Sequence, residues 1–74
     1  MKVRVKLFAV LRNGRFRDQE MEFAAGSSLG NALDAIGVPR EEVSLPLING
    51  RYSSMDDELT HGDVLSIFPA VGGG

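Results

Sequence analysis

Only one stretch of this chain carries apolar residues at helical spacing. Leu29, Ala32, Leu33 and Ile36 fall at i, i+3, i+4 and i+7 and make a single stripe. A helix with one stripe has to lie against a second layer, and the rest of the sequence supplies strands for it. Ala25-Gly26-Ser27-Ser28 precedes the stripe and offers a serine N-cap. Gly37 supplies a left-handed closing position and Pro39 blocks continuation, which places the helix end near Ile36. Gly30 lowers helix propensity by up to about 1 kcal/mol relative to alanine, and its lack of a side chain suits a close approach of helix to sheet.

The strands follow a period of two. Val3, Val5 and Leu7 alternate with Lys2, Arg4 and Lys6, the pattern of a strand with one buried and one wet face. Asn13-Gly14 reads as a tight hairpin turn, and a second strand runs from about Arg17 to Phe23, with Met21 and Phe23 on one face and Glu20 and Glu22 on the other. A third strand, Ser44 to Ile48, turns at Asn49-Gly50; Pro46 has no N–H for a ladder, which places it toward an edge. A polar connection with Leu59 as its one buried anchor turns at His61-Gly62-Asp63 into the last strand, VLSIF. Hairpin, helix, strand pair and final strand predict a two-layer α+β domain. That order suggests the ubiquitin-like β-grasp, a mixed four- or five-stranded sheet covered by one helix, with first and last strands parallel neighbours. The expected division is a body over residues 1–68 and a glycine-rich tail over 69–74.

Composition narrows the chemistry. A chain of 74 residues has room for one core and buries about 60% of its unfolded surface. It has no cysteine, so disulfides and thiolate metal sites are excluded, and a reducing, cytoplasmic setting fits. The alternation from Met1 to Leu7 is not that of a signal peptide, and no apolar run has transmembrane length, so no membrane partner is expected. A net charge of −2 argues against nucleic acid as a partner. Six of the eight basic residues lie at or before Arg17, while Asp56, Asp57, Glu58 and Asp63 lie in the second half; two solvated faces account for this.

Catalytic constellations do not assemble. Nucleophilic catalysis needs an activated nucleophile beside a base, and the single histidine, His61, sits among polar neighbours at a turn. Asp56, Asp57 and Glu58 are adjacent in a loop and diverge, so they read as solvated carboxylates and not as metal ligands. GSSLGNAL lacks the lysine of a phosphate loop and the glycine spacing of a dinucleotide fingerprint, and reads as a helix cap.

Two features remain. If Val3, Val5 and Leu7 face the core, Phe8 shares the outward parity of Lys2, Arg4 and Lys6. Leu65 and Ile67 facing inward place Phe68 outside as well. Parallel pairing of the two strands would bring both rings out together beside the tail, as a docking surface. The alternative is that a bulge, or Val10 and Leu11 folding back, buries Phe8. The second feature is the tail, FPAVGGG. Pro69 sets the exit direction, and six residues from there reach about 20 Å. Gly72, Gly73 and Gly74 carry no side chains and suit a slot too narrow for any Cβ. A carboxylate on Gly74 is a poor electrophile, ionised above a pKa of roughly 3.3–3.7. To react it must first gain a better leaving group, which adenylation by ATP in another protein provides.

These residues resemble the ubiquitin-like sulfur carriers: the small subunit of molybdopterin synthase (MoaD) and its thiamine-pathway relative (ThiS). The matching parts are KVRVKLFAVLR, SSLGNALDAIGVPREEV, LING and LTHGDVLSIFPAVGGG, most of the chain and in order. The resemblance implies a carrier that is not itself an enzyme and binds no cofactor. Gly74 would be adenylated by a ubiquitin-activating-type enzyme that uses ATP, then converted to a thiocarboxylate with sulfur from a donor protein. The molybdopterin synthase large subunit would receive that sulfur for the molybdenum or tungsten cofactor. Gly73 and Gly74 match the terminal pair, and Phe8, Phe68 and Pro69 match the molybdopterin branch. Gly72 replaces a residue with a side chain and Ala70 a second proline, so the tail is looser than is usual there. Alternatives within the same reading are a modifier joined through Gly74 to a target lysine and a thiamine-pathway carrier. A plain β-grasp interaction module is the reading from a different class.

Overall fold

The single helical stripe and the alternating strands meet in a computed structural model, which describes residues 1–70. Five strands and one α-helix follow in the order β1 (Lys2–Leu7), β2 (Asp18–Glu22), α1 (Leu29–Ile36), β3 (Val43–Ile48), β4 (Arg51–Tyr52) and β5 (Val64–Pro69). The sheet order is β2-β1-β5-β3-β4. β1 and β5 are parallel and the other pairings antiparallel, so this is the mixed β-grasp sheet. Val3, Val5 and Leu7 from β1, Leu65 and Ile67 from β5, and Leu29, Ala32 and Leu33 from α1 form the centre of the core. Among the described residues every buried side-chain nitrogen or oxygen has a hydrogen-bond partner. No described helix is long and apolar enough to cross a membrane.

The helix starts and stops as its sequence directs. Ser28 Oγ accepts from the Asn31 N–H at 3.1 Å while Asn31 Oδ1 accepts from the Ser28 N–H at 3.0 Å, a reciprocal cap. The next two free donors, the N–H groups of Leu29 and Gly30, are taken by the carbonyls of Asp57 and Met55, each at 2.9 Å. At the other end Gly37 adopts a φ of 87°, and the Arg15 guanidinium reaches across to its carbonyl at 2.8 Å.

Several local expectations need correction. Asn13-Gly14 is not a tight hairpin turn: Asn13 has a φ of −62°, and a 3-10 turn, Ala9–Arg12, intervenes after β1. The physical reason is Leu11, which drops into the core at the end of the sheet and takes up the extra chain. The second Asn-Gly pair does make the tight turn, with φ of 52° at Asn49 and 82° at Gly50. Gly30 makes its close approach to Arg40 and not to the sheet; a Cβ there would lie 2.6 Å from the guanidinium carbon. Leu59 is buried as expected, but Met55 of the same connection also packs against the core. β5 extends through Pro69, which pairs with Val43, so the sheet reaches one residue past the expected boundary at 68. β3 is not the outermost strand, yet the short β4 pairs only with its last two residues. The Pro46 carbonyl accepts from the Ser53 N–H, on the side away from β5, so its missing N–H also faces away from the ladder.

The parallel β1–β5 pairing is secured at its start by the turn before β5. The Lys2 N–H donates to His61 Nδ1 at 3.0 Å, the Gly62 N–H to the Lys2 carbonyl at 2.8 Å, and the Arg4 N–H to the Asp63 carbonyl at 2.9 Å. Asp63 holds that turn: its carboxylate accepts from the Thr60 N–H at 2.7 Å and from the Asn49 side-chain amide at 2.9 Å. Asp63→Ala removes both and is expected to cost about 1–2 kcal/mol in urea unfolding, since hydrogen bonds to charged groups contribute roughly 1.5–3 kcal/mol before exposure is discounted.

Two ion pairs give the stability an acid dependence. The Arg4 side chain hydrogen-bonds Asp18 and the Arg40 side chain hydrogen-bonds Asp34, and each holds its carboxyl below the usual carboxylate range. A carboxyl whose pKa is depressed by folding stabilises above its unfolded value, roughly 3.9, and loses that contribution as pH falls through the folded value. Melting temperature is therefore expected to fall below about pH 4, and less steeply in the Asp18→Asn, Asp34→Asn double variant.

Candidate docking surface at the root of the tail

Strand register decides where the two phenylalanines go. Leu7 pairs with Ile67 in the parallel ladder, so the next step sets Phe8 beside Phe68 on the face away from α1. Phe8 keeps an extended backbone, and its N–H donates to the Ile67 carbonyl at 3.1 Å, continuing the ladder past the end of β1. The rings stack with centroids 4.1 Å apart and planes 11° apart. Both stay half-buried on the outer face, because Leu11, and not Val10, turns inward. The burial of Phe8 by that stretch is thereby excluded. Arg12 borders the stack, its guanidinium carbon 5.3 Å from the Phe8 centroid and its Nε donating to the Leu7 carbonyl at 2.6 Å.

Beside the stack lies an apolar groove of about 650 Å³. Phe68, Pro69 and Ala70 form one side of it where the chain leaves the sheet, and Ala9, Val10, Ser44 and Leu45 complete the lining. Leu45 stands opposite Phe68 in the β3–β5 ladder, and Val10 is 62% exposed. Leu47 and Tyr52 continue the outer face toward the sheet edge, with Tyr52 72% exposed. Ala9 holds a left-handed φ of 53°, disfavoured for any residue with a Cβ, and its position contributes to the groove wall.

Of the residues singled out from sequence, Phe8, Phe68 and Pro69 come together at this one place. Gly72, Gly73 and Gly74 lie outside the described residues. Val10, Leu45, Leu47 and Tyr52 were missed. The signal for Leu45 and Leu47 was available in the alternation around inward-facing Pro46 and Ile48. His61 is an exposed turn residue whose ring serves as an acceptor for the Lys2 N–H. The helix start offers no phosphate cradle, since the N–H groups of Leu29, Gly30 and Asn31 already have protein partners. Asp57 caps its own turn, accepting from the Ser54 N–H at 2.8 Å.

Comparison with known proteins decides the family. The model of the ThiS family matches residues 5–74. The chain belongs to the ThiS family of ubiquitin-like sulfur carriers. A Pyrococcus furiosus protein assigned as molybdopterin converting factor, subunit 1, is 32% identical with a TM-score of 0.80, over 96% of this chain and 99% of that one. SAMP1 from Haloferax volcanii is 26% identical with a TM-score of 0.81, both chains covered in full. Molybdopterin-converting factor from Helicobacter pylori, solved as a complex of subunits 1 and 2, is 20% identical over both full chains with a TM-score of 0.68 and shares the fold.

The geometry separates surface rings from core. Phe8→Ala or Phe68→Ala removes one stack and part of a wall, and is expected to cost about 1–2 kcal/mol. Leu7→Ala, in the fully buried centre, is expected to cost about 2–5 kcal/mol. Urea unfolding of the three variants checks the ranking; a phenylalanine variant as damaging as Leu7→Ala would make those rings core.

Proposed function

We propose that this protein carries sulfur on the carboxyl group of Gly74 for molybdopterin synthesis, and that the face around Phe8 and Phe68 docks the proteins that load and unload it. The observation that supports this most is the half-buried aromatic stack on the outer face, beside exposed Val10 and Leu45, at the point where the chain leaves its central strand. Any partner seated there is within a tail's length of the reacting end, about 20 Å for six extended residues. An exposed apolar face of this kind at a defined position marks a binding surface.

In the proposed cycle the chain itself binds no cofactor. A ubiquitin-activating-type enzyme uses ATP to adenylate the Gly74 carboxylate, releasing pyrophosphate. Sulfur at the oxidation level of sulfide, supplied through a donor protein, then displaces AMP and leaves a thiocarboxylate. The glycines admit the backbone to a narrow slot, and Pro69 sets the direction in which it enters. The molybdopterin synthase large subunit is the proposed acceptor. Support comes from the Pyrococcus relative and from the subunit 1 and 2 complex of the Helicobacter protein. On this reading the protein works in the cytoplasm and is a carrier without an active site of its own.

A second reading has its own support. The likeness to SAMP1, of which another structure is described as small archaeal modifier protein 1, favours transfer of Gly74 to a lysine of a target protein. The two share activation and differ in the acceptor. Intact-protein mass spectrometry after incubation with the activating enzyme, ATP and a sulfur donor distinguishes them. Exchange of one oxygen for sulfur, lost on deletion of Gly74, is the expected result. Isopeptide-linked adducts without the sulfur-bearing form would favour the modifier.

A further inference from the structure

The aromatic stack has charge on its other side. Phe8 also borders a smaller cleft of about 190 Å³, lined with it by Lys6, Arg12, Arg17 and Asp18. Its single carboxylate is already engaged, accepting from Arg4 Nε at 2.7 Å. Among the described residues Lys6, Arg12 and Arg17 form no ion pair. Arg12 is held in place by its bond to the Leu7 carbonyl, which fixes its guanidinium beside the stack. The chain as a whole carries −2, so this concentration of positive charge runs against its net sign. Elsewhere on the same face the basic residues are matched: Lys2 lies 3.9 Å from Glu20, and Arg4 is paired with Asp18. Among the described residues of this face, the basic side chains outside any ion pair, Lys6, Arg12 and Arg17, are the ones next to the stack.

We infer that this cleft is the electrostatic half of the docking surface and takes a carboxylate side chain from the enzyme that activates the tail. This inference rests on the reading of the chain as a tail-activated carrier. An apolar side chain of the same partner enters the groove on the far side of the Phe8 and Phe68 ridge. A carboxylate suits the cleft better than a nucleic-acid backbone does. The space admits one small anionic group, and the neighbouring groove is apolar. Opposite charges raise the encounter rate and fix orientation before the apolar contacts close, and on the carrier reading activation is the first encounter in the cycle.

The test is ATP–pyrophosphate exchange by the activating enzyme, followed as a function of the concentration of this protein and of salt. The Lys6→Gln, Arg17→Gln double variant is expected to raise KM about tenfold with kcat unchanged and to flatten the salt dependence of KM. Lys2→Gln, on the same strand but at its other end, leaves KM unchanged. Melting temperatures of the variants establish that each is folded; a purely structural role would not alter the salt dependence. Exchange in which the double variant keeps both the KM and the salt dependence of the unsubstituted chain overturns this inference alone. Absence of exchange with the unsubstituted chain overturns the carrier reading and this inference with it.

Discussion

The parallel pairing of β1 with β5 is the constraint on which everything else depends. It joins residues about sixty positions apart, through bonds from Lys2 to His61 and Gly62 and from Arg4 to Asp63 at one end and from Phe8 to Ile67 at the other. Closing so long a loop costs conformational entropy before any contact forms, and that cost rises only slowly with loop length. What offsets it is the burial of Val3, Val5, Leu7, Leu65 and Ile67 against α1, all fully buried. The same register that buries these five aligns the two outward phenylalanines. Core formation and assembly of the aromatic stack are thus one event.

Through this coupling one register sets both the core and the arrangement of the outer face. The outer face is divided. Toward β2 it carries cross-strand charge pairs, and toward β3 and β4 it carries Leu45, Leu47 and Tyr52. The stack stands at the division, with the apolar groove on one side and the basic cleft on the other. Ala9 keeps its strained backbone at this point, where the wall of the groove is made. Everything the proposed chemistry requires of this chain is positioning: a rigid root, a recognisable face and an end that other enzymes can reach.

Much of the architecture was legible because it is written in local periods. The i, i+3, i+4, i+7 stripe, the Ser28 cap and Gly37 define α1, and alternation defines the faces of β1 and β5. Parity alone put Phe8 and Phe68 outside. What local pattern does not encode is competition between distant segments. Asn13-Gly14 has the composition of a tight turn, but Leu11 gains more from burial than the turn gains from closing early, so a 3-10 turn intervenes. Gly30 makes room for Arg40, a side chain from beyond the helix, which no helix-based argument would choose. Alternation around Pro46 and Ile48 could have put Leu45 outside, but Val10 and the basic cleft became visible only once the segment after β1 was seen beside β5.

The central claim is that the face carrying the Phe8 and Phe68 stack, and not the helix layer, receives the activating partner. The direct measurement is an amide chemical-shift map of the labelled protein titrated with that enzyme. The account predicts perturbations at Phe8, Val10, Leu45, Phe68 and Ala70, with the amides of α1 left in place. Perturbations centred on Leu29–Ile36, with the stack unaffected, would contradict it.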